Sequence, residues 1–322
     1  GAAVPGGEGG AGRDRGFDAI VIEEISRACA NLGVILSVNN SLVCDPLGKY
    51  GNADQKRRFL APLAKGEKLG CFALTEPDAG SDAGNQKTRA VREGDVYRIS
   101  GQKVFITCGQ AADLCLLFAM TNPEKKTRGI SAFVVDAAAP GFDRSRHQVK
   151  LGVNASGTVE IFLTDVRVPA ADRLGEEGEG FKIAMSTLDG GRIGIAAQAV
   201  GIATEAFEAA VSYAKSRRAF GRPIAEFQAL RFYLADMATE VDAARLLTRP
   251  AAAAKDRLAR AGGRVPLHAA GAQHHQAATA HRVQTRAPQL RGSPAHHKAD
   301  PAHHIRHSSA HTHAHRSNTK AE

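Results

Sequence analysis

The chain has 322 residues, enough for two or three domains with sizeable cores. Five cysteines all precede Met120 and include no CxxC pair, which argues against a zinc site or a disulfide framework and for the reduced thiols of a cytosolic or matrix protein. No apolar run reaches the length of a membrane span. The net charge of +9 sits at one end, since residues 259–322 hold nine Lys and Arg against two Asp and Glu.

Residues 1–16 are rich in Gly and poor in apolar side chains, and predict a flexible segment. They show neither an apolar signal core nor an Arg- and Ser-rich amphipathic presequence. From Phe17 to Asn31 the spacing of Phe17, Ile20, Val21, Ile25 and Ala28 predicts a helix, which Gly33 should interrupt. Val34 to Leu42 then starts a second helix or turn, with Asn39, Asn40 and Ser41 as polar residues inside it. Ala53 to Leu60 predicts a further helix capped by Asn52.

Between residues 69 and 175 the period changes from helix to strand. Short β-branched or alternating runs occur at Thr88–Arg92, Val96–Ile99, Val104–Ile106, Leu114–Ala119, Ile130–Val135 and Val159–Leu163. Glu93-Gly94-Asp95 signals a hairpin and Pro140-Gly141 a turn. Strands at such spacing without intervening helices predict an antiparallel barrel or sandwich. The first strand, Leu69 to Leu74, runs into the turn TEPDAGSDAG. There Pro77 ends any ladder, Gly80 and Gly84 leave backbone N–H groups uncovered, and Thr75 and Ser81 place hydroxyls at the two ends. Such a lip suits a polar, phosphate-bearing ligand, although a tight surface turn between strands has the same composition. Phe105-Ile106-Thr107 likewise offers either a stacking ring and a hydroxyl for a flavin, or simply a buried barrel Phe with a Thr at its strand end.

Helical period returns from Gly178 to Ser216, with Phe181, Met185 and Leu188 on one face and a longer stripe from Ile193 to Val211. Arg217 to Gly221 breaks it. Pro223 should open a new helix with Phe227, Leu230, Leu234, Met237 and Val241 on its buried face and Gln228 off that stripe. Beyond Leu258 large apolar residues become scarce and twelve of the thirteen His appear, so residues 259–322 are expected to be disordered. Paired His suggest metal binding, but no folded zinc spacing is present. The positive charge suggests nucleic acid, but no aromatic is present to stack on a base.

The stretch from Cys71 to Gly84, CFALTEPDAGSDAG, resembles the flavin-binding signature of the acyl-CoA dehydrogenases, and among them the short-chain enzymes. Lys103 to Thr107, Leu188 to Gly194, and Arg217 to Gly221 followed by Gln228 match in the same order, over about residues 17 to 258. The resemblance implies an α+β fold with four parts: a partial N-terminal helical domain (17–68), a middle β-domain (69–175), a partial C-terminal helical bundle (176–258) and the tail. It implies FAD as cofactor, held by Phe72, Ala73, Leu74, Thr75, Gly80, Ser81, Phe105, Ile106 and Thr107, with Phe105 standing where the family usually has Trp. Arg217 and Phe220 would serve the cofactor of a neighbouring subunit in a homotetramer, Arg217 on a diphosphate, and Gln228 would face the cofactor. Ser81 with Asp189, Gly190, Gly191 and Arg192 would meet the CoA thioester.

The implied reaction is the α,β-dehydrogenation of a short-chain acyl-CoA in fatty-acid oxidation. Electrons would pass to an electron-transferring flavoprotein in the mitochondrial matrix, with no role for membrane or nucleic acid. The family's general base is a Glu, either in a Glu-Gly-Thr-type loop, which is absent, or at a helix position that is Gly191 here. No catalytic residue is therefore expected in this chain. The tail reads as sequence foreign to the family, and the alternatives are a non-catalytic remnant or a tail-mediated metal or nucleic-acid binder.

Overall fold

The computed structural model describes residues 1–260. The expectations for the tail, disorder, metal and nucleic acid, lie outside the described residues.

Helix α1, Arg15–Ala28, is capped by the Asp14 carboxylate, which accepts from the Phe17 amide at 2.7 Å. The break that follows falls at Cys29, in extended geometry, rather than at Gly33. Gly33 lies inside α2, Ala30–Ser37, where its missing side chain lets the helix pack on Ser26. The helix continues through a π-turn at Val38–Cys44 into α3, Asp45–Tyr50. A capping box formed by Asn52 and Gln55 starts α4, Ala53–Gln55, and the chain stays helical through Lys56–Leu60 to α5, Ala61–Lys65.

The Gly-rich opening segment departs from the linker expectation. Val4 is buried, Glu8 pairs with Lys56 at 3.0 Å, and backbone bonds such as Arg13 N to the Ala2 carbonyl fold the segment onto itself. Its glycines there serve close approach rather than freedom: a Cβ on Gly10 would collide with the Val4 carbonyl.

The middle of the chain is an eight-stranded sheet of β1 (Gly70–Ala73), β2 (Arg89–Glu93), β3 (Val96–Ile106), β4 (Leu114–Met120), β5 (Ile130–Asp136), β6 (Phe142–Asp143), β7 (Val159–Pro169) and β8 (Arg173–Leu174). The order is β6-β7-β3-β2-β4-β5-β8, with β1 beside β4. Most pairs are antiparallel, as predicted, but β1 lies parallel to β4 because its approach comes from the helical domain rather than from a hairpin. The Gly94-Asp95 turn joins β2 to β3, with Gly94 at φ +63°.

Strand β4 is buried along its whole length, which explains its unbroken apolar run. Cys115, Leu117 and Ala119 face the inner core with Tyr97, Phe133 and Ile161. Leu114, Leu116 and Phe118 face the helices and pack with Leu47, Leu60, Leu63 and Ile183. All five cysteines are free, and all but Cys29 are buried, as the sequence suggested.

Helix α6, Gly180–Ser216, crosses the sheet and packs on α1. A short hairpin of β9 (Arg218–Ala219) and β10 (Arg222–Pro223) separates it from α7, Gln228–Arg260. Pro223 therefore belongs to the hairpin and does not open the helix, and Phe227 precedes it. Met237 and Val241 are buried against Ala203 and Ala210, with Leu230 and Leu234 partly covered. Among the described residues no helix is long and apolar enough to cross a membrane.

Candidate active site

Period-two alternation at the end of β1 sorts the residues that enter the site. Cys71 and Ala73 point into the inner core, while Phe72 and Leu74 face a cleft of about 470 Å³ between the sheet and α6. Ala73 is thus a core residue and not a cleft wall. Phe72 is held by Phe118, their ring centroids 5.0 Å apart. The strand ends at Ala73, and reciprocal bonds between Glu76 and Ala79 close the following turn. Thr75, Gly80 and Ser81 all border the cleft. Neither Gly80 nor Gly84 uses left-handed geometry. Gly84 is needed for space, since a Cβ there would sit 2.7 Å from Thr127 Cγ2.

The opposite lip comes from β3. Its register against β7 shifts between Lys103 and Ile106: Lys103 pairs with Ile161 and Ile106 with Val159, so β3 carries one extra residue. Phe105 sits in this bulge at φ +58°. The bulge turns its ring out of the core, leaving it 66% exposed on the cleft while Lys103 and Ile106 are buried. The alternative of a buried barrel Phe is thereby excluded. Thr107 follows on the same lip, and the Val104 amide donates to the Thr75 carbonyl at 2.9 Å, tying the two lips together.

Phe181, Met185, Leu188 and Arg192, spaced by three and four residues, form the wall contributed by α6. Arg192 is half exposed and pairs with Asp189 at 3.0 Å. Asp189, Gly190 and Gly191 lie beside this wall rather than in it. Gly190 packs on Lys255, and a Cβ on Gly191 would lie 2.5 Å from Leu42 Cδ2. Val38 and Leu42 of the π-turn close the floor, two residues that sequence reasoning did not single out. The polar neighbours it did single out are structural. Asn39 receives the Gly70 amide at 3.0 Å, Asn40 donates to Asp18 at 3.0 Å, and Ser41 donates to the Ser37 carbonyl.

Under the lips lies a buried ion pair. Lys103 is fully buried and donates to Glu76 at 2.8 Å, to the Leu74 carbonyl at 3.1 Å and to Gln86 at 3.2 Å. Glu76 in turn accepts from the Thr88 amide at 3.1 Å and from the Lys87 amide. Burial lowers the Lys103 ammonium to about 8, opposed by the Glu76 charge. Against its own desolvation, Lys103 holds the Glu76 carboxyl below its ordinary value. The one signal in sequence was a Lys at a position whose strand phase faces inward.

Arg217, Phe220 and Gln228 are not brought to this cleft. All three are exposed around the β9–β10 hairpin, Phe220 at 95% and φ +50°, with its ring 6.0 Å from Phe227.

An exposed aromatic on left-handed backbone, flanked by hydroxyls and facing an apolar helix stripe, fits the flat ring system of a flavin. Fold and cleft define a flavin-dependent dehydrogenase of the helix–sheet–helix type. Family models agree: the acyl-CoA dehydrogenase N-terminal domain matches residues 1–67, the middle domain 71–166 and the C-terminal domain 178–314. The chain belongs to the acyl-CoA dehydrogenase family.

It is 48% identical over 284 residues to the short-chain specific acyl-CoA dehydrogenase of Clostridium acetobutylicum, covering 88% of this chain and 74% of that one. It is 49% identical over 253 residues to the mitochondrial short-chain specific enzyme of Mus musculus, covering 79% of this chain and 61% of that one. The structure of butyryl-CoA dehydrogenase from Megasphaera elsdenii superposes with a TM-score of 0.87 at 44% identity, covering 91% of this chain and 76% of that one. The N-terminal match begins at residue 1 and the C-terminal match runs to 314. The family likeness therefore does not stop near Leu258, and the reading of the tail as foreign sequence is not supported.

Proposed function

We propose that the cleft receives the isoalloxazine of FAD and the thioester of a short-chain acyl-CoA, for dehydrogenation between the α and β carbons. The observation that carries the reading is the pairing of Phe105 and Thr107 with Thr75, Gly80 and Ser81 across one cleft, faced by the Met185–Leu188–Arg192 wall. FAD, when bound, supplies the acceptor for the β-hydride. Phe105 offers the stacking face, and Thr75 and Thr107 offer hydroxyls at the ring edge. Phe181, Met185 and Leu188 exclude water, and Leu42 seated against Gly191 shortens the floor, which suits a short acyl chain. Arg192, half exposed, is placed for the polar part of the substrate.

An electron-transferring flavoprotein is the proposed acceptor. Assembly into a homotetramer would use the β9–β10 hairpin. Mitochondrial and bacterial relatives match at similar identity, so a matrix location rests on the resemblance alone.

The α-proton needs a base, and the described residues supply no convincing one. Gly191 presents no side chain, and the carboxylate that borders the cleft, Asp82, is exposed on the outer loop. Turnover of butyryl-CoA is therefore expected to fall about 10²–10⁴-fold below that of a relative that carries the base Glu. The test is reconstitution with FAD followed by titration with butyryl-CoA. Retention of the flavin band at about 450 nm, perturbed by butyryl-CoA, is the expected result. A chain that retains no flavin at micromolar concentration sinks the reading.

A further inference from the structure

Phe105 and the 74–88 loop meet the same ligand but lie on different strands, and backbone pairing alone joins them through a single bond, Val104 to Thr75. The Thr88 hydroxyl adds a bond to the Gln102 carbonyl at 3.4 Å, and Lys103 supplies the buried part of the connection. Its ammonium reaches the Leu74 carbonyl before the loop, the Glu76 carboxylate at its start and the Gln86 side chain near its end. Glu76 then gathers the Lys87 and Thr88 amides, so both ends of the loop converge on one buried charge pair. Between these ends the Gly80–Gly84 segment faces the cleft with few bonds of its own. Two residues beyond Lys103 stands the Phe105 bulge.

We propose that Lys103, acting with Glu76, is the positioning residue of the flavin cradle: its charge sets the spacing between the Thr75–Gly84 lip and the Phe105 lip, and so sets the affinity for the flavin. The inference rests on the flavin reading of the cleft but makes its own prediction for the flavin-free protein. Holding a loop in its bound form removes an ordering cost from binding, and a first layer of contacts is only as well placed as the layer behind it.

The pair carries a signature that a purely structural ion pair lacks. The ionisable groups facing Lys103 are Glu76 and the Cys115 thiol of β4. Lys103 titrates at about 8, below its ordinary 10.5, so the unfolded chain binds more protons between these values and stability rises with pH through that window. In the folded protein the charge is lost as pH passes about 8, which releases the loop, so flavin affinity falls there while stability begins to rise. Stability and affinity therefore move in opposite directions.

The experiment uses the full chain, with Lys103→Met/Glu76→Gln as the principal variant, because Lys103→Met alone strands a buried carboxylate. FAD affinity is followed by flavin fluorescence between about pH 7 and about pH 9, thermal unfolding in parallel, and amide hydrogen exchange of residues 80–88 without flavin. Expected are a double variant that unfolds cooperatively near the wild-type temperature, binds FAD about tenfold more weakly, exchanges faster at 80–88 and has lost the pH dependence of affinity.

Equal affinity and equal exchange in the two proteins overturn the proposal. If the double variant fails to fold, the wild-type pH series decides: affinity flat or rising with pH overturns it, affinity falling while stability rises supports it. If the wild type binds no FAD, the functional reading fails. The positioning role then stands or falls on the exchange of 80–88 alone.

Discussion

Two residues near the cleft, Phe105 and Glu76, each suggest a measurement. Phe105 combines left-handed backbone, unfavourable for an aromatic residue by about 1 kcal/mol, with a ring that its own chain leaves largely uncovered. Phe105→Gly should leave the melting temperature unchanged or raise it. It should also weaken FAD binding by about 1 kcal/mol, the stacking increment of an aromatic pair, or roughly fivefold. A variant that loses stability and keeps its flavin affinity would assign the ring to packing instead. Glu76 gives a pH dependence. Its carboxyl lies below the ordinary 4.5 in the folded protein, so its contribution is fully present above that value and is lost as pH falls through the lowered folded value. Glu76→Gln should flatten the acid limb of a stability–pH curve below about pH 4.5 without steepening it above. An unchanged acid limb would place the proton-linked stability elsewhere.

At the scale of elements, helix α6 owes its close approach to α1 and to the π-turn to small residues. Gly201 faces the backbone carbonyl of Glu23, whereas Gly191 faces the Leu42 side chain at 2.5 Å for an added Cβ. A side chain can move aside more readily than a helix. Gly191→Ala should cost about 1–3 kcal/mol, reduced in the Leu42→Ala background, while Gly201→Ala should cost more and gain nothing from Leu42→Ala. Denaturant titration of the four variants checks this, and equal costs would show that α6 shifts as a body.

The same elements show what sequence makes legible. The two lips of the cleft, the 181–185–188 stripe and the Asn52 cap were readable because each is local: a periodicity, a turn composition or a capping pattern. The floor was not, because Val38 and Leu42 reach the cleft through a π-turn that shifts the helical phase and buries Asn39, Asn40 and Ser41 instead. The outward turn of Phe105 was hidden for the same reason, since a one-residue bulge inverts strand alternation without leaving a mark in composition.

On the scale of the molecule, the exposed groups divide into those that the cleft explains and those that it does not. Phe105 belongs to the cleft. Phe220 does not: it is almost fully exposed at the tip of a two-stranded hairpin, on left-handed backbone, beside the exposed Arg217. The hairpin is nonetheless built, with Arg222 over the Phe227 ring at 4.4 Å and Phe227 edge-on to Phe220. An ordered aromatic tip with nothing among the described residues to cover it fits contact with a second copy, where Arg217 would meet a cofactor phosphate. Phe220→Ala should then leave monomer stability within about 0.5 kcal/mol, as for other exposed sites, because little packing is lost. Its effect should appear only in the assembled protein, as weaker FAD retention at concentrations where wild-type subunits associate in sedimentation. Equal flavin loss from dilute, dissociated wild type and variant, together with unchanged retention at high concentration, would remove the hairpin from the cofactor site and leave the Phe105 cleft to hold the flavin unaided.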